Sequence, residues 1–258
     1  MKQEQINKLK KWFDDYSSKY YKGDEKLDYP VQLKYNHSKR VCKEASLINN
    51  SLPDGMLDKY IVETIALFHD LGRFEQYRIY KTFNDRLSKN HAVLSIQEMN
   101  KHKLLIDCTS RERYLISNAV RYHNALTPPI NKDNETKNYI NIIRDADKLD
   151  ILNMFSDYYS NKNFHDKIIE LNLPDTSAYS KSIVNNIFAK KPALMADMKN
   201  LNDFKLIQIA WIYDINYKKT YYEIKKRHLI ENITEKLPKN AEIEKIIDQI
   251  FSFIEKQI

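Results

Sequence analysis

The chain has 258 residues and a formal charge of +7, with 42% hydrophobic and 30% charged residues. That length suits one or two domains and lets a single compact unit bury around three quarters of its unfolded surface without a disulfide or metal to hold it together. The three glycines, at 23, 55 and 72, are too scattered for a dinucleotide fingerprint or a P-loop, which need clustered glycines so that backbone amides can reach phosphate.

In chain order, the apolar repeat reads as helix almost throughout, near 1–20, 36–50, 57–70, 89–105, 109–124, 135–159, 178–189, 203–226 and 240–257. Breaks are expected at Asp28–Pro30, Leu52–Gly55, Gly72–Ser88, Thr127–Asn134, Leu173–Asp175, Lys191–Pro192 and Leu237–Lys239. Period-two alternation does not persist anywhere, so an all-α fold is predicted. The first helix is charged and amphipathic, and no stretch approaches the roughly 20 apolar residues of a membrane span, which points to a soluble, unprocessed protein with no membrane partner. Cys42 and Cys108 make no metal-binding or redox spacing, and cytoplasmic residence is the simplest reading. Residues 1–160 are expected to form the catalytic core and 161–258 an appended helical layer packed with it as one compact unit. In the last helix Ile243, Ile246, Ile247, Ile250 and Ile254 form a stripe, read as core packing, with a homodimer face as the second reading.

Several polar residues interrupt these apolar faces. His69 is in register with Val62, Ile65 and Ala66, His123 with Ile116, Ala119 and Val120, Asp147 with Ile140, Ile143 and Ile151, and His37 lies one turn ahead of Val41. A polar group at such a place costs free energy unless hydrogen-bonded or bound to a metal. With His91 and Asp70 they make four imidazoles and two carboxylates, a ligand set for one or two divalent ions, with Mn, Fe, Zn, Ni, Co and Mg all open. Gly72, two residues past Asp70 of the His69-Asp70 doublet, suits a helix that ends there and a chain that turns sharply. At such an end Asp70 could bridge two ions roughly 3.5–4 Å apart. From Arg73 to Asn90 the chain reads as a long polar loop, which we expect to line the substrate pocket.

Taken together, NHSKRV around His37, LFHDLGRF around His69-Asp70, NHAVLS around His91, VRYHN around His123 and IRDADKLDIL around Asp147 resemble the HD-domain metal-dependent phosphohydrolases, an all-helical superfamily. The resemblance covers roughly residues 30–160. It implies an HD-type helical bundle with added C-terminal helices, one metal site of His37, His69, Asp70 and Asp147, and a second position completed by His91 and His123. It also places the last ligand at Asp147 in preference to Asp145. The stretch from Tyr122 to Ala125 lacks the Gly-Tyr-Pro signature of the cyclic-di-GMP phosphodiesterase branch, so that branch is not expected.

The activity implied is hydrolysis of a phosphomonoester or phosphodiester, most plausibly of a small nucleotide, by a metal-activated hydroxide. Asp70 would bridge the ions and orient the hydroxide, and Arg73 would bind phosphate, with Arg121 and Lys148 as helpers. Two other classes share the motif set: a mixed-valent di-iron oxygenase, and a non-catalytic nucleotide- or nucleic-acid-binding module. The positive charge and the basic, tyrosine-rich stretch at 217–228 are compatible with nucleic acid, although a solvated helix face is the preferred reading there.

Overall fold

The computed structural model describes residues 1–160, 166 and 168–258, and among these every regular element is helical, as the 3.6-residue repeat predicts. The chain divides into two compact units, Met1–Asp147 and Lys148–Ile258. The boundary expected at 160/161 falls against residues 161–165, which lie outside the described residues.

The first unit holds α1 (Gln3–Ser18), α2 (Glu25–Asn49), α3 (Lys59–Phe68), α4 (Gly72–Tyr80), α5 (His91–Lys101), α6 (Ser110–Tyr122) and the opening part of α7 (Asn134–Ser160). α2 packs along α3, α4 along α5, and α6 lies against both α3 and α5. The packed faces are the apolar stripes of the sequence: Val41, Ala45 and Ile48 on α2, Ile61, Ile65 and Phe68 on α3, Ile116, Ala119 and Val120 on α6, and Ile140 and Ile143 on α7 are all buried. Phe13 of α1 meets Phe68 and Phe74 edge-on, with centroids 6.3 and 5.9 Å apart; each such pair adds about 0.5–1.5 kcal/mol beyond its area. Side-chain caps set the starts: Asp24 for α2, Asp58 for α3, Asn90 for α5 and the Thr109–Glu112 capping box for α6.

Two sequence expectations are corrected in this unit. α2 does not break at Asp28–Pro30 but begins eleven residues before the expected 36, at Glu25, and runs through the proline. A helix-interior proline costs about 3 kcal/mol or more. Pro30 lies so near the start that the carbonyl it leaves without an amide partner is that of Lys26, an exposed residue that water can serve. The Asp24 carboxylate meanwhile caps the Lys26 and Leu27 amides at 2.9 and 3.0 Å, and Pro30 is itself buried. The second correction is the 73–90 loop, half of which is α4. Its buried residues are Gly72, Phe74 and Gln76, a spacing of two with a polar member, whereas Ile79 is exposed, so no helical apolar repeat marks it.

The second unit takes the rest of α7 and α8 (Lys181–Phe188), α9 (Leu201–Ala210), α10 (Lys218–Lys226), α11 (Leu229–Thr234) and α12 (Ala241–Glu255). All ten residues of α9 are buried. The helix expected over 203–226 is interrupted after Ala210 by a 3-10 turn, Trp211–Asp214, where the Tyr221 hydroxyl lies 2.8 and 3.1 Å from the Ile212 and Ile215 carbonyls. Ile243, Ile246, Ile250 and Ile254 of α12 join the core of this unit. Among the described residues no helix is long and apolar enough to cross a membrane.

Candidate metal centre

The centre is built around the link between α3 and α4. The His69 amide still donates to Ile65 O, Leu71 N to Phe68 O and Arg73 N to Asp70 O, at 2.9, 3.2 and 2.9 Å, and His69 and Leu71 both keep right-handed helical torsions. α3 ends at Phe68, at the doublet, as the sequence reading has it, but Gly72 opens α4 and has no positive φ. Its use is close approach: a Cβ there would sit 2.4 Å from the carbonyl oxygen of His91 and 2.5 Å from the amide nitrogen of Ser95. Ser95 ties the two helices together, accepting from the Gly72 amide and donating its hydroxyl to the His69 carbonyl, both at 2.8 Å. The same residues thus fix the doublet and the helix that carries His91.

All six candidate ligands meet. His37 Nε2 lies 3.2 Å from His69 Nε2, 3.1 Å from Asp147 Oδ1 and 3.6 Å from Asp70 Oδ2. On the other oxygen of the same carboxylate, Asp70 Oδ1 is 3.3 Å from His91 Nε2 and 3.9 Å from His123 Nε2, and those two nitrogens are 3.0 Å apart. Asp70 consequently faces one ligand group with each oxygen. His69, His123 and Asp147 also form a group of their own, so the two sets are contiguous. Asp147 makes these contacts, while Asp145 is fully buried in α7.

Hydrogen bonds on the far side of the rings fix the imidazoles. His69 Nδ1–H donates to Ala66 O at 2.8 Å and His123 Nδ1–H to Val120 O at 2.7 Å, each within its own helix, and His91 Nδ1–H donates to Asp85 Oδ2 at 2.7 Å. Each ring therefore turns an unprotonated Nε2 toward Asp70. Burial lowers the pKa of all three, aided at His91 by Arg73; that of His123 is pushed down to about 3 by burial and by its neighbours His91 and His69. Both carboxylates stay ionised. Burial is the largest single influence and acts to raise both; at Asp70 the cations Lys34 and Arg73 lead the neighbours that together hold the group well below the usual range, and at Asp147 the hydrogen bond from His37 leads those that together do the same.

This donor set fits divalent metal ions. Neutral His91 and His123 aim lone pairs at each other across 3.0 Å, an arrangement that is repulsive unless a cation accepts both. Two nitrogens bonded at about 2.0–2.1 Å to one ion at roughly right angles stand about 3 Å apart, which matches that pair and the 3.2 Å between His37 and His69.

Residues flanking the ligands complete the site. Lys34, one turn before His37 on α2, places Nζ 2.9 Å from Asp70 Oδ2. Arg73 threads into the cluster: its guanidinium donates to Asp70 Oδ1 (3.2 Å), Gln76 Oε1 (2.8 Å), Phe83 O (2.6 Å) and Asp85 Oδ1 (3.2 Å), and Nη2 lies 3.3 Å from His91 Nε2. Arg144 of α7 donates to His123 O at 3.0 Å and to Ala125 O at 2.5 Å, closing the end of α6 where His123 sits. Arg121 is exposed and lies over the Tyr122 ring, and Lys148 is ion-paired with Asp214 at 2.8 Å within the second unit. Sequence reasoning missed Lys34, Gln76, Asp85, Ser95 and Arg144. Of these Lys34 carried a usable signal, since its three-residue spacing from His37 puts it on the same helix face.

Comparison with known families decides what this arrangement is. The family described as HD domain matches residues 35–152, a span that contains every one of the six ligands. These residues form an HD domain. No curated protein and no solved structure matches the chain. The match puts residues 35–152 in the HD-domain superfamily of metal-dependent phosphohydrolases, and the clustered histidines and aspartates here are residues that could hold a metal ion. Solvent reaches the HD-domain centre at Lys34, Asp147 and Asp85, whose side chains are 20, 19 and 28% exposed.

Proposed function

We propose that this HD domain hydrolyses a small phosphate ester of nucleotide type, a phosphomonoester or phosphodiester, at a dinuclear metal centre. The observation that carries the reading is Asp70, which offers one oxygen to the His37–His69–Asp147 group and the other to the His91–His123 group. His37, His69, Asp70 and Asp147 would hold one ion, and Asp70, His91 and His123 the second. Ions bound there would lower the pKa of a coordinated water from 15.7 toward about 7 and neutralise phosphoryl oxygens.

The chain's own residues supply the rest. Asp70, anionic and buried, anchors both halves of the centre, and the Nδ1 hydrogen bonds of His69, His91 and His123 keep the ligand nitrogens turned inward. Arg73 and Lys34 bring positive charge to either oxygen of Asp70. In this reading they would receive phosphate oxygens, Arg73 through its planar fork. Arg121, which is exposed, and Lys148, which is paired with Asp214, would be secondary helpers at most. The nucleotide reading is supported by Phe83, half-buried beside these cations at 5.2 Å from Lys34 and 6.0 Å from Arg73 and packed on Tyr77, a ring on which a base can stack.

The test is metal analysis of protein purified without chelator or nickel resin, followed by a panel of phosphomonoesters and phosphodiesters, with Asp70→Asn alongside. We expect turnover of at least one nucleotide ester that Asp70→Asn lowers by more than the about 10–100-fold typical of losing a mere outer-shell partner. Iron with dioxygen uptake and no hydrolysis would favour the oxygenase reading instead.

A further inference from the structure

The two histidines of the second ligand group are not fixed in the same way. His123 lies at the end of α6 and donates Nδ1–H to the carbonyl three residues earlier, Val120 O, as His69 does to Ala66 O. His91 is the first residue of α5 and has no preceding turn of its own helix to supply that carbonyl. A side chain from outside the helix does so: Asp85, in the link between α4 and α5, places Oδ2 2.7 Å from His91 Nδ1. The carboxylate is fully committed. Oδ2 also accepts from Asn124 at 3.3 Å, and Oδ1 accepts from Gln76 Nε2 at 2.7 Å, Arg73 Nη1 at 3.2 Å and the His91 amide at 3.4 Å. Gln76, fully buried, in turn holds the link through Ser88 Oγ at 2.7 Å and Lys89 O at 3.0 Å.

From this we infer that Asp85 is a positioning residue for the second metal position: its carboxylate sets the Nδ1–H tautomer of His91, so that Nε2 is the nitrogen presented to Asp70, and steers Arg73 beside it. Every group facing Asp85 is a donor, so both oxygens must accept. An amide cannot replace it, because its NH2 must oppose either His91 and Asn124 or Arg73 and Gln76. Turned toward His91, that NH2 favours the opposite tautomer, which puts a proton on the ligand nitrogen. His69 takes no part in this arrangement, since it relies on the carbonyl of its own helix.

The inference rests on the metal-centre reading above, and the experiment separates the two. In metal-free protein labelled with 15N at histidine, long-range imidazole spectra report the protonated nitrogen of each ring, with His91→Ala giving the assignment. We expect His91 to be protonated at Nδ1 in the parent and to lose that signature in Asp85→Ala and Asp85→Asn, while His69 and His123 keep theirs, which also shows that the variants fold. Titration with Zn2+ should then show the second ion bound about 10–100-fold more weakly in both variants, the first ion within about threefold of the parent, and part of the loss recovered in Asp85→Glu. An unchanged His91 signature together with unchanged binding of the second ion overturns the proposal. A parent that binds one ion while its His91 tautomer still depends on Asp85 overturns the two-metal reading and keeps Asp85 as the residue that positions His91.

Discussion

Asp70 is 3% exposed and yet stays ionised, because the cations Lys34 and Arg73 beside its two oxygens offset what burial costs a charge. The histidines make the opposite choice and stay neutral. That choice has a consequence in the metal-free protein. A histidine whose folded pKa lies below its unfolded 6.5 adds stability that is complete above pH 6.5; it is lost as pH falls, because the unfolded chain takes up protons that the folded one refuses. For His123 the window runs from 6.5 down to about 3, and the loss is about 1.4 kcal/mol per pH unit for one such group. The depressed Asp70 and Asp147 extend the loss below pH 3.8, where the unfolded carboxylates protonate first. The urea midpoint of metal-free protein should therefore fall between pH 7 and pH 5, and fall less steeply in His123→Leu. A midpoint that is flat over this range would show that these imidazoles are not held neutral. His37, His69, His123 and Asp147 were legible because each interrupts an apolar stripe of a helix, where a polar side chain has to be satisfied, whereas Asp70 and His91 were read from the doublet and the family resemblance. Asp85 was not legible: it lies in a link with no repeat, and its role depends on His91 standing at the start of a helix.

The helices explain why the ligands converge. α3 and α4 join through a right-handed link that turns at the doublet, and α5 lies so close to Gly72 that any side chain there meets backbone. Gly72→Ala puts a Cβ against two main-chain atoms of α5 that no rotamer change can clear. Overpacking of this kind typically costs about 1–3 kcal/mol, and here it displaces the helix that starts with His91. We expect a melting temperature several degrees lower and weaker binding of one metal ion, read from thermal unfolding and metal titration of the same preparation. A variant with parental stability and parental metal content would show that α5 can move aside freely. Element boundaries were harder to read than faces. Pro30 suggests a break that the Asp24 cap and an exposed Lys26 make unnecessary, α4 buries a glutamine where a helix pattern expects an apolar residue, and α9 is buried on all sides, so nothing in its composition marks where it ends.

At the scale of the whole molecule, all six ligands fall in the unit Met1–Asp147, with the last of them its final residue. The all-helical class follows directly from the repeat, since every apolar stripe in the sequence became a buried helix face, including that of α12 in the core of the second unit. The substrate is less legible than the fold, because it depends on loop groups such as Phe83 and Asp85 and on cations whose reach the repeat does not encode. What organises the molecule chemically is the division of ligands by the two oxygens of Asp70. The most direct test of that division is the number of tightly bound divalent ions per chain, measured by elemental analysis in the parent and in His123→Ala. A shared carboxylate with two ligand groups gives two ions in the parent and one in the variant, with helical content unchanged. The same number in both proteins would contradict a second position built on His91 and His123.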